Sequence, residues 1–262
     1  MRLWLPAAML ALLAGPAASN CVPIRYGYTN QSIPPYYIGS GVLEAHPPGA
    51  VVDLVREAAA SIGCGIETSR LPPARIKVAL GQGMIDLGLL FESDQAEPNV
   101  AFPLDKNGRV DAGRGLQLFG MVFVRAADQV ARDSDPAAFL KQRRIGVSRG
   151  ASYVDRLRGQ GYRVDDGAAN VRLNLEKLLL NRIDACLIAL PSPDGIDAVI
   201  AERFGTAVVR LDKPMLTSTT WLGLSKDYHE RHRVQAEALW DWFGTNGRAR
   251  LGALMRQYEN SP

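Results

Sequence analysis

Apolar strands and amphipathic helices alternate along this sequence, and the alternation limits the possible fold more than any other feature. The first unit has predicted strands at 22–28, 65–70 and 85–91, with helices at 49–62 and about 73–80 between them. An order of β-α-β-α-β predicts a mostly parallel sheet with crossover helices. The chain is therefore expected to belong to the α/β class.

A second unit of the same kind follows the first. It begins with a long predicted strand at 116–126, and strands and helices alternate from there to a strand at 205–211. The chain then continues with a strand at 220–226 and two helices, at about 229–243 and 247–258. Two α/β lobes joined by strands create a cleft, and ligands favour such interfaces and the carboxyl ends of parallel strands.

The N-terminus has the pattern of a secretory signal peptide at 1–19. Arg2 supplies a positive charge, an uncharged apolar run covers 3–18, and small residues near its end favour cleavage before Asn20. A membrane anchor is the alternative, but the run is short and is broken by proline and glycine. Export to the periplasm is therefore expected. Lipidation at Cys21 is disfavoured because Asn20 lies where a small residue is normally required.

The charge balance excludes several classes of partner. Lys and Arg total 30 against 27 Asp and Glu, a net charge of +3, and no run is rich in Lys or Arg. This argues against nucleic acid as the main partner. The three histidines are not spaced with cysteines as zinc ligands are. We therefore expect no metal, no cofactor and a monomer.

Three cysteines remain after the predicted cleavage, an odd number for an oxidising compartment. Cys21 precedes the first predicted strand and Cys64 precedes the second. If those strands are parallel neighbours, both cysteines lie at the same edge of the sheet and could form a disulfide. Cys186 lies in an apolar strand and is expected to be a buried thiol.

Six segments, in this order and spacing, resemble family 3 extracellular solute-binding proteins, the family best known from polar amino acid uptake. They are IRYGYTN with Pro34-Pro35-Tyr36, GAVVDLVREAAASIG, ALGQGMIDLGLL, RRIGVSRGASYVDRL, LEKLLLNRIDACLIALP, and LGLSKDYHE before a helix ending in RQY. The resemblance implies a two-lobed periplasmic binding protein fold (type II), with lobe 1 at 20–115 plus 216–262 and lobe 2 at 116–215. Two chain crossings would form the hinge. It also implies capture of a small ligand by hinge closure for an ABC-type importer.

The chain departs from the amino acid binders of that family at both anchors of an α-amino acid. In those proteins an arginine of the first lobe holds the α-carboxylate, and an aspartate of the second lobe holds the α-ammonium. A gapless reading places Pro98 and Ala189 at these positions. An unpaired buried charge is costly, so the expected ligand is a small polar molecule with an acidic group rather than a standard amino acid.

Two cationic segments are candidates to bind that acidic group. Gly150 and Ser152 match the family's Gly-Thr-Thr turn at a predicted helix start, where free N–H groups favour an anion. Arg149 adds a positive charge beside the turn; for Ser152, helix capping is the alternative. Arg70 and Arg75 form an Arg-x-Pro-x-x-Arg motif, and either arginine could replace the missing clamp. A solvated arginine is the alternative for both.

Aromatic and polar side chains complete the predicted ligand site. Tyr28, Tyr36 and Tyr37 lie on the first strand-to-helix connection, where family members place an aromatic ring against the ligand. Packing within a proline-rich loop is expected to account for at least one of them. Glu92 and Ser93 follow an apolar strand directly, at the edge where this architecture presents polar groups.

Two further aromatic residues, Tyr153 and Trp221, are weaker candidates for the ligand site, with hinge packing as the alternative for Trp221.

The function also has alternatives. The same fold could serve as a ligand-sensing or partner-docking protein without a transport role, so the expected partner is either an ABC permease or a membrane sensor. A periplasmic dehydratase acting on a cyclohexadienyl acid is a third reading, with Glu92 as the general acid.

Overall fold

The structure, a computed structural model, describes residues 21–91, 95 and 97–259. The predicted signal peptide at 1–19 and the predicted ligand residues Glu92 and Ser93 lie outside the described residues. Among the described helices, none is both long enough and apolar enough to cross a bilayer.

The described residues form ten strands and eight α-helices. The strands are β1 Ile24–Thr29, β2 Ile66–Leu71, β3 Leu87–Phe91, β4 Val100–Ala101, β5 Leu116–Arg125, β6 Arg144–Ser148, β7 Arg163–Ala168, β8 Ala185–Leu190, β9 Val208–Arg210 and β10 Leu216–Ser225. The helices are α1 Ala50–Ser61, α2 Pro73–Gly81, α3 Pro136–Leu140, α4 Val154–Gly159, α5 Val171–Leu179, α6 Asp197–Phe204, α7 Lys226–Arg231 and α8 Arg233–Glu259.

The strands form one continuous sheet in the order β2-β1-β3-β10-β5-β8-β6-β7, with β4 on β10 and β9 on β5. β1 runs parallel to β2 and β3, and β6 runs parallel to β7 and β8. We call β2-β1-β3 the first half-sheet and β8-β6-β7 the second half-sheet. The predicted α/β class with mostly parallel pairing within each half is confirmed.

Two long antiparallel strands connect the half-sheets. β5 and β10 pair with each other from Leu116 opposite Thr220 to Gly120 opposite Leu216. Beyond that stretch, β10 continues along β3 and β5 continues along β8. The carboxyl ends of both half-sheets therefore lie on either side of the β5–β10 crossing.

The largest core lies where α1 packs against α8. Ala58 and Ala59 of α1 and Trp240 and Phe243 of α8 are all buried. The Trp240 Nε1–H donates to the carbonyl oxygen of Leu222 in β10 at 2.6 Å, which fixes α8 to the middle of the sheet. A separate core covers the second half-sheet on its α3–α4 side.

The C-terminal segment differs from its prediction, because one 27-residue helix replaces the expected helix at 247–258 and most of that at 229–243. The predicted break covers 244–246 and includes Gly244, a residue type that favours a helix end. In the structure, a Cβ on Gly244 would lie 2.5 Å from the carbonyl oxygen of Gly113, and one on Gly247 would lie 3.1 Å from Leu116. These glycines therefore allow close packing of α8 and do not end it.

The predicted disulfide between Cys21 and Cys64 is confirmed. Their Cα atoms are 5.1 Å apart, because β1 and β2 are parallel neighbours with Ile24 opposite Ile66. Cys186 is a buried free thiol, as expected from its apolar strand.

Candidate functional site

Three contacts join the carboxyl ends of the two half-sheets, and we call this region the junction. The Gln31 side-chain amide donates to the carbonyl oxygen of Arg149 at 3.4 Å. A Cβ placed on Gly150 would lie 3.4 Å from the Cβ of Pro73. The hydroxyl of Tyr36 lies directly against Gly195. These contacts close the space between the loops that follow β1, β6 and β8 and the start of α2.

Two arginines predicted to bind the ligand flank the contact between Pro73 and Gly150. Arg75 is exposed in the first turn of α2, and its guanidinium has no hydrogen-bond or ion-pair partner within the described residues. Arg149 is also exposed, and its guanidinium donates to the carbonyl oxygen of Gly167 at 2.9 Å. The structure thus brings Arg75, Arg149 and Gly150 to one place. Their contact with a ligand stays a prediction.

The turn at Gly150 has a different local structure from the one expected. α4 begins at Val154 and not at Gly150, so the segment in between is a turn in which Gly150 has φ +80°. Ser152 does not cap α4, whose N-terminus has no side-chain capping bond. Because α4 has only six residues, its helix dipole is short. Binding of an anion at this turn would therefore depend on the positive charges of Arg75 and Arg149.

Arg70 was predicted to bind the ligand, but it has a structural role. Its side chain is buried, and its guanidinium donates to the carbonyl oxygens of Gly39 at 2.6 Å and Leu43 at 2.8 Å. The guanidinium also lies 5.5 Å from the centre of the Tyr28 ring. Arg70 therefore holds the loop between β1 and α1 in place, because it satisfies carbonyl groups of that loop.

Tyr28 was also predicted to bind the ligand and instead packs beneath the same loop. It is 2% exposed, and its hydroxyl lies 3.3 Å from a carboxylate oxygen of Glu44. Burial and the nearby Glu44 carboxylate raise the pKa of Tyr28 to about 12. Glu44 also accepts hydrogen bonds from Thr68 at 2.7 Å and Arg56 at 2.5 Å. Tyr28 is thus a packing residue.

Of the three tyrosines on this connection, Tyr36 is the one that contacts the second half of the molecule. Tyr37 stacks on Tyr28, with ring centres 6.0 Å apart. Tyr36 is buried against Gly195, and its carbonyl oxygen accepts from the backbone N–H of Val51 at 3.1 Å. That bond ties Tyr36 to the start of α1. The contact between Tyr36 and Gly195 therefore depends on the two sides of the junction being close together.

Tyr153 and Trp221, the two weaker aromatic candidates, are buried side chains of the core. The hydroxyl of Tyr153 donates to the carbonyl oxygen of Leu187 at 3.2 Å, and burial raises its pKa. Trp221 is 2% exposed and its indole N–H donates to the carbonyl oxygen of Asp111 at 2.8 Å. Its ring meets Phe102 edge-on.

The loop at 191–195 was missed by the sequence analysis. Ala189, the position expected to correspond to the family's aspartate, lies within β8 and pairs with Gly120. Asp194 follows in the loop; its carboxylate accepts from the Ser192 hydroxyl at 2.5 Å, which lowers the pKa of Asp194. The signal was available: a Ser-Pro-Asp-Gly sequence directly after an apolar parallel strand is typical of a polar turn at the ligand-binding edge.

Within the part of the chain that the structure describes, no group of three or more His, Cys, Asp or Glu side chains could hold a metal ion. The predicted general acid Glu92 and its neighbour Ser93 lie outside that part.

No family model matches this sequence, and no curated protein matches it either. Solved structures of the same fold do match. A histidine kinase sensor domain with similarity to periplasmic binding proteins is 17% identical, with a TM-score of 0.65, over 88% of this chain and 94% of its own. The GluR0 ligand-binding core in complex with L-glutamate is 12% identical, with a TM-score of 0.67, over 91% and 99%.

An amino acid ABC transporter substrate-binding protein, AbpA from Streptococcus pneumoniae, bound to L-arginine, is 13% identical. Its TM-score is 0.64, over 90% of this chain and 93% of its own. At these identities the comparisons show the fold alone: the chain has the two-lobed fold of periplasmic binding proteins.

Proposed function

We propose that this chain is an exported solute-binding protein that closes around a small acidic ligand at the junction and delivers it to an ABC-type importer. The observation that carries the proposal is the pair of exposed arginines, Arg75 and Arg149, on opposite sides of the contact between Pro73 and Gly150. A ligand held there touches both half-sheets at once, which is the requirement for a binding protein that closes on its ligand.

The proposed lobes are 20–115 plus 216–262, and 116–215. Their boundaries coincide with the first residues of β5 and β10, the two strands that connect the half-sheets. Bending of these strands would open and close the junction. The ligand then shifts the equilibrium toward the closed form, because only that form lets it contact both lobes.

The charges favour an acidic ligand. Arg75 has no partner within the described residues, and Arg149 uses one nitrogen on a backbone carbonyl, so both retain donors for a carboxylate or phosphate. Neither position expected to anchor an α-amino acid provides its charge, since Pro98 and Ala189 occupy them. The nearest acidic side chain of the β8 loop, Asp194, is engaged by Ser192.

A thermal-shift screen tests the ligand class. The purified protein is heated with amino acids, organic acids, phosphorylated metabolites and small amines, and a ligand specific to the native state raises the melting temperature. We expect a shift with an acid that lacks an α-ammonium group. A shift with ordinary amino acids alone would contradict the proposed ligand class.

Titration of variants with the acid found in the screen tests the place of binding. Arg75→Gln and Arg149→Gln should each weaken binding by about tenfold, because each loses a charge-assisted contact. The matched control is Arg132→Gln, since Arg132 forms an exposed ion pair with Asp212 and neither residue makes one of the three junction contacts. Equal affinities for all three variants would place the ligand elsewhere.

A second candidate function is ligand sensing for a membrane-bound partner. It is favoured by the similarity to a sensor domain, of which this chain covers 94%. Cross-linking in cells, followed by identification of the partner, separates the two functions: capture of a permease supports transport, and capture of a membrane sensor supports sensing.

A further inference from the structure

A cavity of about 560 Å³ lies beside the junction, against the C-terminal half of α8. Its walls are α8 from Arg248 to Arg256, the start of β5 and the loop at 191–195, and it shares Tyr36 and Gly195 with the junction. Volumes of roughly 300–1,000 Å³ are typical of small-molecule sites. Arg75, Arg149 and Gly150, on which the proposed solute site depends, do not line this cavity.

The floor of this cavity contains a glycine that packing does not explain. Glycine destabilises the interior of a helix relative to alanine, and α8 contains three. Gly244 and Gly247 are needed for close packing against Gly113 and Leu116. A Cβ on Gly252 would meet only a guanidinium nitrogen of Arg256, at 3.7 Å. Gly252 therefore deepens the cavity.

The side chains around Gly252 combine positive charge with apolar surface. Arg248 lies four residues before Gly252 and Arg256 four residues after it, so both lie on the same face of α8. Arg248 is exposed, without a hydrogen-bond or ion-pair partner among the described residues. Leu251 and Met255, both buried, line the same cavity. Such a surface suits a molecule with an acidic group on an apolar body.

We propose that this cavity is a second binding site, for an amphipathic organic anion. The acidic group, a carboxylate or sulfonate, lies over Gly252 beside the guanidinium group of Arg248. The apolar body lies on Leu251 and Met255. Asp194, on the loop at 191–195, also lines the cavity and accepts from Ser192, and its negative charge favours binding with the acidic group toward Arg248 and away from this carboxylate.

The test uses the fluorescent anion 1-anilinonaphthalene-8-sulfonate with the full-length folded protein, and N-phenyl-1-naphthylamine as the neutral probe of the same apolar shape. Gly252→Leu fills the space over the floor of the cavity and should abolish saturable binding. Arg248→Gln should weaken it by about tenfold. The matched controls, Gly159→Leu on α4 and Arg233→Gln at the start of α8, are exposed and away from the cavity, and should bind as the unchanged protein does.

Several results would overturn the proposal. They are the absence of saturable binding, equal binding by Gly252→Leu, equal affinity for the neutral probe, and loss of binding in Arg75→Gln, which would place the probe at the junction. Urea unfolding of Gly252→Leu shows whether the variant is folded. If it is not, Gly252→Ala, which adds one methyl group to the same floor, takes its place and should weaken binding severalfold.

Discussion

At the scale of single residues, polar side chains hold the part of the loop between β1 and α1 that lies around Val42 and Leu43. Val42 and Leu43 at its tip are 77% and 81% exposed. Beneath them, Arg70 donates to the loop carbonyls and Glu44 accepts from Thr68 and Arg56. The exposed apolar tip of the loop is held in position because its backbone carbonyl groups accept hydrogen bonds from a charged side chain of the neighbouring strand.

Glu44 gives this arrangement a pH dependence. Burial raises the pKa of Glu44, but the hydrogen bonds from Thr68 and Arg56 outweigh burial and lower it overall. A carboxyl group with a lowered pKa stabilises the folded state above the pKa of the unfolded chain, and that contribution is lost as the pH falls through the folded pKa. Glu44→Gln should therefore cost about 1.5–3 kcal/mol at neutral pH, and less in acid.

Urea unfolding at a series of pH values from about 7 to about 3 measures this difference. The gap between the original protein and Glu44→Gln should begin to narrow below the ordinary Glu pKa of about 4.3, where the unfolded chain binds a proton that the folded protein does not, and it should go on narrowing as the pH falls through the lower pKa of the folded state. The control is Glu67→Gln, an exposed residue on the same strand as Thr68. A gap of constant size across the pH range would contradict the role assigned to the ionised carboxylate.

At the scale of elements, α8 combines glycines with opposite effects on stability. Gly244 lies where the helix touches the backbone at Gly113, whereas a Cβ on Gly252 would meet only a guanidinium nitrogen of Arg256, at an ordinary contact distance of 3.7 Å. Glycine therefore allows close packing of the helix at position 244 and leaves room for the cavity at position 252.

Alanine at the two positions should change the stability of the protein in opposite directions. Gly244→Ala places a methyl group 2.5 Å from a carbonyl oxygen and should lower the free energy of unfolding by about 1–3 kcal/mol. Gly252→Ala should raise it by up to about 1 kcal/mol, because alanine is the better helix former. Thermal and urea unfolding measure both values, and a stability loss of similar size at Gly252→Ala would contradict the conclusion that a Cβ fits at this position without a clash.

Local periodicity predicted most of these elements. The helix of α1 and the strand of β5 were predicted within one residue at each end, because their hydrophobic spacing is regular. The predicted break at Gly244 was wrong because a glycine signals a helix end equally well when its role is close packing, and only the position of Gly113 distinguishes the two.

The candidate site was less predictable than the elements. Sequence reasoning indicated that Arg75 and Gly150 lie near each other, because loops at the carboxyl ends of parallel strands share an edge, and their contact with a ligand stays a prediction. It did not indicate the burial of Arg70 and Tyr28, since that burial depends on how the loop between β1 and α1 folds back over them. The contact of Tyr36 with Gly195 joins segments more than 150 residues apart, and no local pattern indicates it.

At the scale of the whole molecule, the contact between Tyr36 and Gly195 limits how closely the half-sheets approach. A Cβ on Gly195 would overlap the Tyr36 hydroxyl, whereas Gly159, in the same half of the molecule, has open space around it. The closed junction described above therefore needs a glycine at 195.

Gly195→Ala should shift the protein toward an open form. We expect a larger radius of gyration in small-angle X-ray scattering and an affinity for the acidic ligand weaker by about tenfold, because closure now carries a steric cost. Gly159→Ala should change neither quantity. An unchanged radius together with an unchanged affinity would show that Tyr36 moves aside without cost.

The unbroken course of β5 and β10 through the middle of the sheet has a mechanical consequence. The half-sheets are connected there by paired backbone, so the proposed opening and closing would bend both strands together. The bend would be shared by the five residue pairs from Leu116 opposite Thr220 to Gly120 opposite Leu216. Opening and closing can therefore proceed with the ladder intact, and the amide protons of these residues should stay slow to exchange with solvent throughout the motion.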